Sequence, residues 1–353
     1  MSDKITVLII DDSFFMRKFL TELLESDARI KVIGTAKNGK QGLEKIKELR
    51  PKAVTLDYEM PGWNGIETLR HIMRESPAAV IMLSAFTKED AEITLQALRE
   101  GAVDYVLKPS GPISWDIGQI KYEIIKKVKA ASLIDIAKLK EIIRKKAKKL
   151  IFGKEIPLLD KAVVIGASTG GPQTLELILK QFPQDIPSAI LIVQHMPKFF
   201  TKLFAERLNS ICDIQVKEAE QGEIIKKGIA YVAPGSWHMR VKSKASETGI
   251  KIGVIKLTKE SPVDNLRPSI NVLMKSVAKE YKDNAIGVIL TGMGQDGAEG
   301  ISAINEAGGA TIAQDEESSL IFGMPKRAIE TGAVRAILSV DKIARRILEL
   351  LAR

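Results

Sequence analysis

The chain has 353 residues, 45% hydrophobic and 27% charged, with a formal net charge of +9, which against about 100–200 residues per domain calls for two globular domains with real cores. No apolar run approaches the roughly 18 residues of a membrane span, the opening Met1-Ser2-Asp3-Lys4 lacks the layout of a secretory signal, and a cytosolic protein is expected. The single cysteine, Cys212, excludes an internal disulfide, and no Cys/His cluster has zinc-like spacing.

In chain order, short apolar runs come first: residues 6–12 (TVLIIDD), 31–36 (KVIGTA), 53–61 (AVTLDYEMP), 79–85 (AVIMLSA) and 104–109 (DYVLKP). Between them, stretches such as 14–25 and 64–74 carry apolar residues at helical spacing. Alternation of this kind predicts a doubly wound parallel sheet, whose functional groups gather beyond the carboxyl ends of the strands. Those ends carry Asp11 and Asp12, then Asp57, Ser84 and Lys108. Three carboxylates, a hydroxyl and an ammonium on one edge suit Mg²⁺ and a phosphoryl group, because a hard cation offsets the repulsion of packed carboxylates. A carboxylate can also be the nucleophile that takes up that group.

Residues 4–127 resemble a bacterial response-regulator receiver domain, through the Asp11-Asp12 pair, LDYEMP at Asp57, Ser84, and YVLKP with Tyr105 three positions before Lys108. The resemblance implies that Asp57 is the phospho-acceptor and that Asp11 and Asp12 join it in holding Mg²⁺. It further implies that Lys108 contacts the phosphoryl group and that Ser84 and Tyr105 form a switch pair.

The charge imbalance sits in the next segment, where twelve basic residues between Lys121 and Lys154 face three acids. A basic connector over 128–156 is expected, as a solvated helix with Ile124, Val128, Leu139, Ile142 and Ile143 inward, or as a docking segment for an acidic partner. No interleaved aromatics support nucleic-acid binding there.

A second alternating series follows at 161–168, 188–195, 228–235, 284–294, 309–315 and 333–339, with helical stretches at 175–182 and 199–208. Residues 239–257 alternate around a Glu247-Thr248-Gly249 turn, predicting a hairpin appended to the sheet. The fold class is therefore α/β, two doubly wound parallel-sheet domains, with boundaries at 1–127 and 157–353.

Ser168 ends the first of these strands, the second ends at His195, and Asp296 lies just past the fourth. Serine, histidine and aspartate on one rim are the components of nucleophilic acyl transfer. Gly166, Ser168 and Gly170 have the G-x-S-x-G spacing that exposes a nucleophile on a tight turn. Pro172 then suits the first helical position. The amides of Thr169, Gly170 and Gly171 are expected to point outward as oxyanion donors, with Met293 or Gly294 contributing one from the opposite side. A phosphate cradle is disfavoured by the missing G-x-G-x-x-G order and P-loop lysine. The order Ser, His, Asp also differs from the Ser, acid, His order of α/β-hydrolases. Only three histidines exist, and with His71 on a receiver helix the base is His195 or His238.

Residues 155–350 resemble the catalytic domain of the CheB family of chemotaxis protein-glutamate methylesterases, through IGASTGGP, VQHMP, APGSWH, RPSINVL, LTGMGQDGAEG and AQDEESSLIFGMP. The resemblance implies Ser168 as nucleophile, His195 as base, Asp296 as its orienter, and the Thr169 and Met293 amides as the oxyanion hole. Gln295 and Asn271 stand where the family often has acids. It also implies hydrolysis of glutamate γ-methyl esters on the cytoplasmic helices of chemoreceptors, with parallel deamidation of glutamines, a chemotaxis histidine kinase as phosphodonor, and no cofactor for the esterase step. Phosphorylation is expected to shift the receiver off the active-site rim, so that removing residues 1–150 raises activity. Two rivals are a transcriptional regulator, for which no recognition helix is evident, and a non-catalytic scaffold, which methanol release from methylated receptors separates.

Overall fold

The structure is a computed structural model that describes residues 4–84, 87–108, 117–145, 147, 149–150, 161–245 and 251–352. The chain divides into two compact units, residues 1–144 and 145–353. No helix among the described residues is long and apolar enough to cross a membrane.

The first unit is one parallel sheet of β1 (Ile5–Ile10), β2 (Ile30–Ala36), β3 (Ala53–Asp57), β4 (Val80–Ser84) and β5 (Asp104–Leu107), in the order β2-β1-β3-β4-β5. Helices α1 (Phe14–Glu25), α2 (Gly39–Leu49), α3 (Gly65–Glu75), α4 (Lys88–Glu100) and α5 (Ile117–Ala131) alternate with the strands. Val7 to Ile10 are completely buried, as expected where helices cover both faces of a parallel sheet. Ser13, Asn38, Asn64 and Thr87 start the first four helices, each accepting a hydrogen bond from the third residue on. The order reverses between β1 and β3, so Asp11 and Asp57 flank the crevice where such sheets bind ligands.

Part of the basic segment folds with this unit. It forms α5 and a separate α6 (Ile136–Arg144), with Ile124, Val128, Leu139 and Ile142 buried and Ile143 partly so. The junction between units thus falls at 144/145, inside the segment expected as connector, whose residues 151–156 lie outside the described ones.

The second unit holds seven parallel strands in the order β14-β13-β12-β6-β7-β9-β8. These are β6 (Ala162–Ala167), β7 (Ala189–Gln194), β8 (Gln215–Glu218), β9 (Ile229–Val232), β12 (Ala285–Ile289), β13 (Ala310–Gln314) and β14 (Ala336–Leu338). The helices are α7 (Gly171–Leu179), α8 (Phe200–Ile211), α9 (Ile270–Tyr281), α10 (Ala298–Glu306), α11 (Met324–Glu330) and α12 (Val340–Leu351). One face of the sheet packs Val164, Leu191 and Ile289 against Ile270, Leu273, Ile301 and Ile304 of α9 and α10. The chain leaves central β6 towards β7 on one side and returns later through β12 on the other, so the order reverses there.

Two expectations change. The alternating stretch forms β10 (His238–Ala245) and β11 (Lys251–Thr258), an antiparallel pair that is its own sheet rather than an extension of the large one. Its 247–249 turn lies outside the described residues. Edge strand β8 was not anticipated, being four residues with only Val216 buried.

Candidate functional site

In the first unit, ligand oxygens of Asp11, Asp12 and Asp57 lie within 4.8 Å of one another. Lys108, directly after β5, sets its Nζ 2.6 Å from Asp57 Oδ1 and 3.6 Å from Asp11 Oδ2. Burial pushes the Asp57 carboxyl up to about 6 against the pull of Lys108, and burial raises Asp11 likewise. Asp11 Oδ1 accepts the Ser13 amide at 2.9 Å, while its buried Oδ2 has no hydrogen-bond partner. An orphaned carboxylate oxygen inside a three-carboxylate cluster fits a hard divalent cation. Nearby, Thr94 Oγ1 donates to Ser84 Oγ at 2.8 Å. Tyr105 is buried, with Lys127 Nζ 4.6 Å from its ring centre and tied to Asp104 and Glu123.

In the second unit, the strand register pairs Ala167 of β6 with Gln194 of β7, so the next residues, Ser168 and His195, leave adjacent strands side by side. Ser168 is followed by a turn in which Gly170 has φ +76, a conformation natural to glycine. The Gly171 amide closes this turn onto the Ser168 carbonyl at 2.7 Å, so it is engaged rather than free as the sequence had led us to expect. The turn is stitched to the loop after β12: Ser168 N donates to Thr291 O at 3.0 Å, and Thr291 Oγ1 donates to Thr169 O at 3.0 Å. A Cβ on Gly292 would sit 2.7 Å from Ser168 Cβ, so only glycine admits this approach. The next amide, that of Met293, donates to no group among the described residues.

His195 Nε2 lies 2.8 Å from Asp296 Oδ2, with Asp296 almost wholly buried. The carboxylate sits on the N-terminus of α9: Oδ2 also accepts the Ile270 amide at 2.7 Å, while Oδ1 accepts the Asn271 amide at 3.0 Å and the Ser269 hydroxyl at 2.8 Å. Burial alone would raise this carboxyl, but the bonds from His195, Asn271 and Ile270 outweigh it and hold it below the usual carboxylate value. The helix N-terminus adds its partial positive charge. An ionised Asp296 accepts, so Nε2 carries the imidazole proton and Nδ1 is left as the basic nitrogen. Neither Nδ1 nor the half-buried Ser168 hydroxyl bonds another group among the described residues.

His238, the other candidate base, is fully buried elsewhere: its Nδ1 accepts the Ser269 amide at 3.2 Å and its Nε2 meets the Ser261 carbonyl at 3.1 Å. Burial lowers its pKa. Cys212 is similarly inert, its thiol pushed up to about 12 by burial. Sequence reasoning missed Ser269 and gave Asn271 no task. Asn271 Oδ1 accepts the Gly297 and Gly300 amides at 2.9 and 2.8 Å, capping α10 where Gly297 has no side chain to do so. The only signal for Ser269 was a serine just ahead of an apolar helical run. It reads as an N-cap, yet its hydroxyl serves Asp296 rather than its own helix.

Comparison with known proteins is consistent across both units. The family model for CheB methylesterase matches residues 163–347, and that for the response regulator receiver domain matches 7–114. A protein-glutamate methylesterase/protein-glutamine glutaminase of Pyrococcus horikoshii is 45% identical over 348 residues, spanning 97% of this chain and 92% of its own. One of that name from Thermotoga maritima is 42% identical over 351 residues, spanning 99% and 100%. The crystal structure of the Thermotoga maritima CheB methylesterase catalytic domain covers 54% of this chain and 98% of its own, at 42% identity and a TM-score of 0.52.

Proposed function

Since the chain belongs to the CheB methylesterase family, with a receiver domain preceding the esterase domain, we propose that it is a phosphorylation-controlled chemotaxis methylesterase. It hydrolyses glutamate γ-methyl esters on the cytoplasmic helices of chemoreceptors to glutamate and methanol, and deamidates receptor glutamines by the same route, acting in the cytoplasm. We assign phosphoryl acceptance to the first compact unit and hydrolysis to the second.

The observation that carries this reading is the His195–Asp296 bond, seated on a helix N-terminus beside the Ser168 turn. Ser168 Oγ attacks the ester carbonyl as its proton passes to His195 Nδ1; Asp296 fixes the ring through Nε2 and stabilises the imidazolium. The tetrahedral oxyanion is received by the Thr169 and Met293 amides, each such donor typically contributing about 3 kcal/mol of transition-state stabilisation. His195 then returns the proton to the departing methoxide, releasing methanol. Water, deprotonated by the same nitrogen, attacks the acyl-serine and frees the glutamate carboxyl. Glutamine follows the same sequence with ammonia as the leaving group.

In the receiver unit, Asp57 accepts the phosphoryl group from the chemotaxis histidine kinase, Lys108 contacts it, and Ser84 and Tyr105 report its arrival. Asp11, Asp12 and Asp57 would hold Mg²⁺, which when bound supplies charge neutralisation for the incoming phosphoryl oxygens. The test is methanol release from methylated receptor membranes. Ser168→Ala should lower it by about 10⁴-fold or more while the protein stays folded; substantial residual release would overturn the assignment.

A further inference from the structure

We propose that His238 is a positioning residue for the esterase, locked as a neutral Nε2–H tautomer that holds the N-terminus of α9 in place and, through it, Asp296. The proposal rests on the reading of Ser168, His195 and Asp296 given above and goes beyond it. His238 opens β10 and has no exposed surface. Its two ring nitrogens face opposite partners: the Ser269 amide can only donate, so Nδ1 must be bare, and the Ser261 carbonyl can only accept, so Nε2 must carry the proton. That pairing defines one tautomer and forbids the imidazolium, whose second N–H would point at the Ser269 N–H.

Ser269 is the last residue before α9, and its hydroxyl and the next two amides make three of the hydrogen bonds on Asp296. A continuous line therefore runs from Ser261 through His238, Ser269 and Asp296 to His195. Among the described residues, the charged groups around His238 are Arg240 on its own strand and Glu260 and Arg267 from the loop between β11 and α9, while Ser269 at the head of α9 contributes its amide. Burial, and after it the two arginines, oppose protonation, while the Ser261 carbonyl and Glu260 favour it; the net displacement is downward, which favours the neutral ring that the two hydrogen bonds require. Acid that does protonate it must break the bond to Ser269.

The test is steady-state methanol release by the full-length protein. His238→Ala should lower kcat about ten-fold with KM unchanged, and His238→Asn, whose Oδ1 can replace Nδ1 as acceptor, should recover most of the loss. In an Asp296→Asn background the same alanine change should cost less than about two-fold, because its effect runs through Asp296. On the acid side, log kcat of the wild type should fall more steeply than that of His238→Asn, because only the wild type has the His238 ring to protonate and so to lose the bond to Ser269. An unchanged kcat and slope in the folded variants, or an equal loss in the Asp296→Asn background, overturns the proposal. If His238→Ala does not fold, the acid slope of His238→Asn decides alone. Ser168-dependent activity indifferent to His238 would sink this inference only; activity indifferent to Ser168 would sink the esterase reading beneath it.

Discussion

Asp57 and Asp296 are the same residue type in comparable places, each near the carboxyl end of an inner strand of a parallel sheet and each only 2% exposed, yet their acidities move in opposite directions. The difference lies in the partners. Asp57 is buried beside Asp11 with Lys108 as its only nearby cation among the described residues, and burial wins. Asp296 is buried beneath two amides, a hydroxyl and an imidazole, and the donors win. A buried carboxylate left short of donors is suited to receive something, whether a cation or a phosphoryl group. One that is fully satisfied is suited to hold another residue still.

The comparison is tested most severely at Asp296 itself. Asp296→Asn keeps the shape but presents an amide to His195, and the imidazole loses the acceptor that fixes its tautomer. Methanol release should fall by about 10⁴-fold in kcat. A loss of only a few-fold would mean that the α9 cradle does not orient the base.

The receiver side makes the complementary prediction. Mg²⁺ should raise the melting temperature of the wild type, and at about 100 times its Kd the stabilisation is about 2.7 kcal/mol. Asp11→Asn removes the anionic ligand that carries the orphaned Oδ2 and should abolish most of that shift, while Ser168→Ala should leave it intact. Differential scanning fluorimetry with and without MgCl₂ reads both. An Asp11→Asn protein with a wild-type Mg²⁺ response would break the distinction between the two carboxylates.

How much of this was legible in the sequence follows from the same physics. Helix α1 begins and ends where its apolar spacing predicts, and the strand-end rule set Asp11, Asp57, Ser84 and Lys108 on one rim, because buried parallel strands are nearly unbroken apolar runs with abrupt polar ends. The Ser168 turn was legible for a related reason: Gly170 needs a positive φ, and Gly171 has no room for a Cβ beside Gln194. The α9 cradle was not. Ser269 and Asp296 stand 27 positions apart, and nothing local separates a serine that caps its own helix from one that reaches a distant carboxylate. The fate of the Gly171 amide was hidden too, since turn closure onto Ser168 depends on three-dimensional geometry. In the basic segment the inward positions of Leu139 and Ile142 were legible, but the density of lysines reads as a solvated connector and hid that these residues bury α6 within the first unit.

The smallest predicted effect concerns that cradle. Ser269→Ala deletes one hydrogen bond to an ionised, buried carboxylate and should cost about 1.5–3 kcal/mol at neutral pH, near the lower end because two amides and His195 remain. The sign with pH follows from the lowered pKa of Asp296. A carboxyl held below its unfolded value stabilises the fold above that value and loses its contribution as pH falls through the folded one, so the contribution is complete above the ordinary carboxylate range and declines in stronger acid. Protonated Asp296 makes weaker use of the Ser269 hydroxyl. The stability gap between wild type and Ser269→Ala should therefore be widest near pH 7 and shrink towards pH 2, as urea denaturation at the two pH values would measure. A gap that is constant with pH would show that Ser269 serves the packing of α9 and not the charge on Asp296.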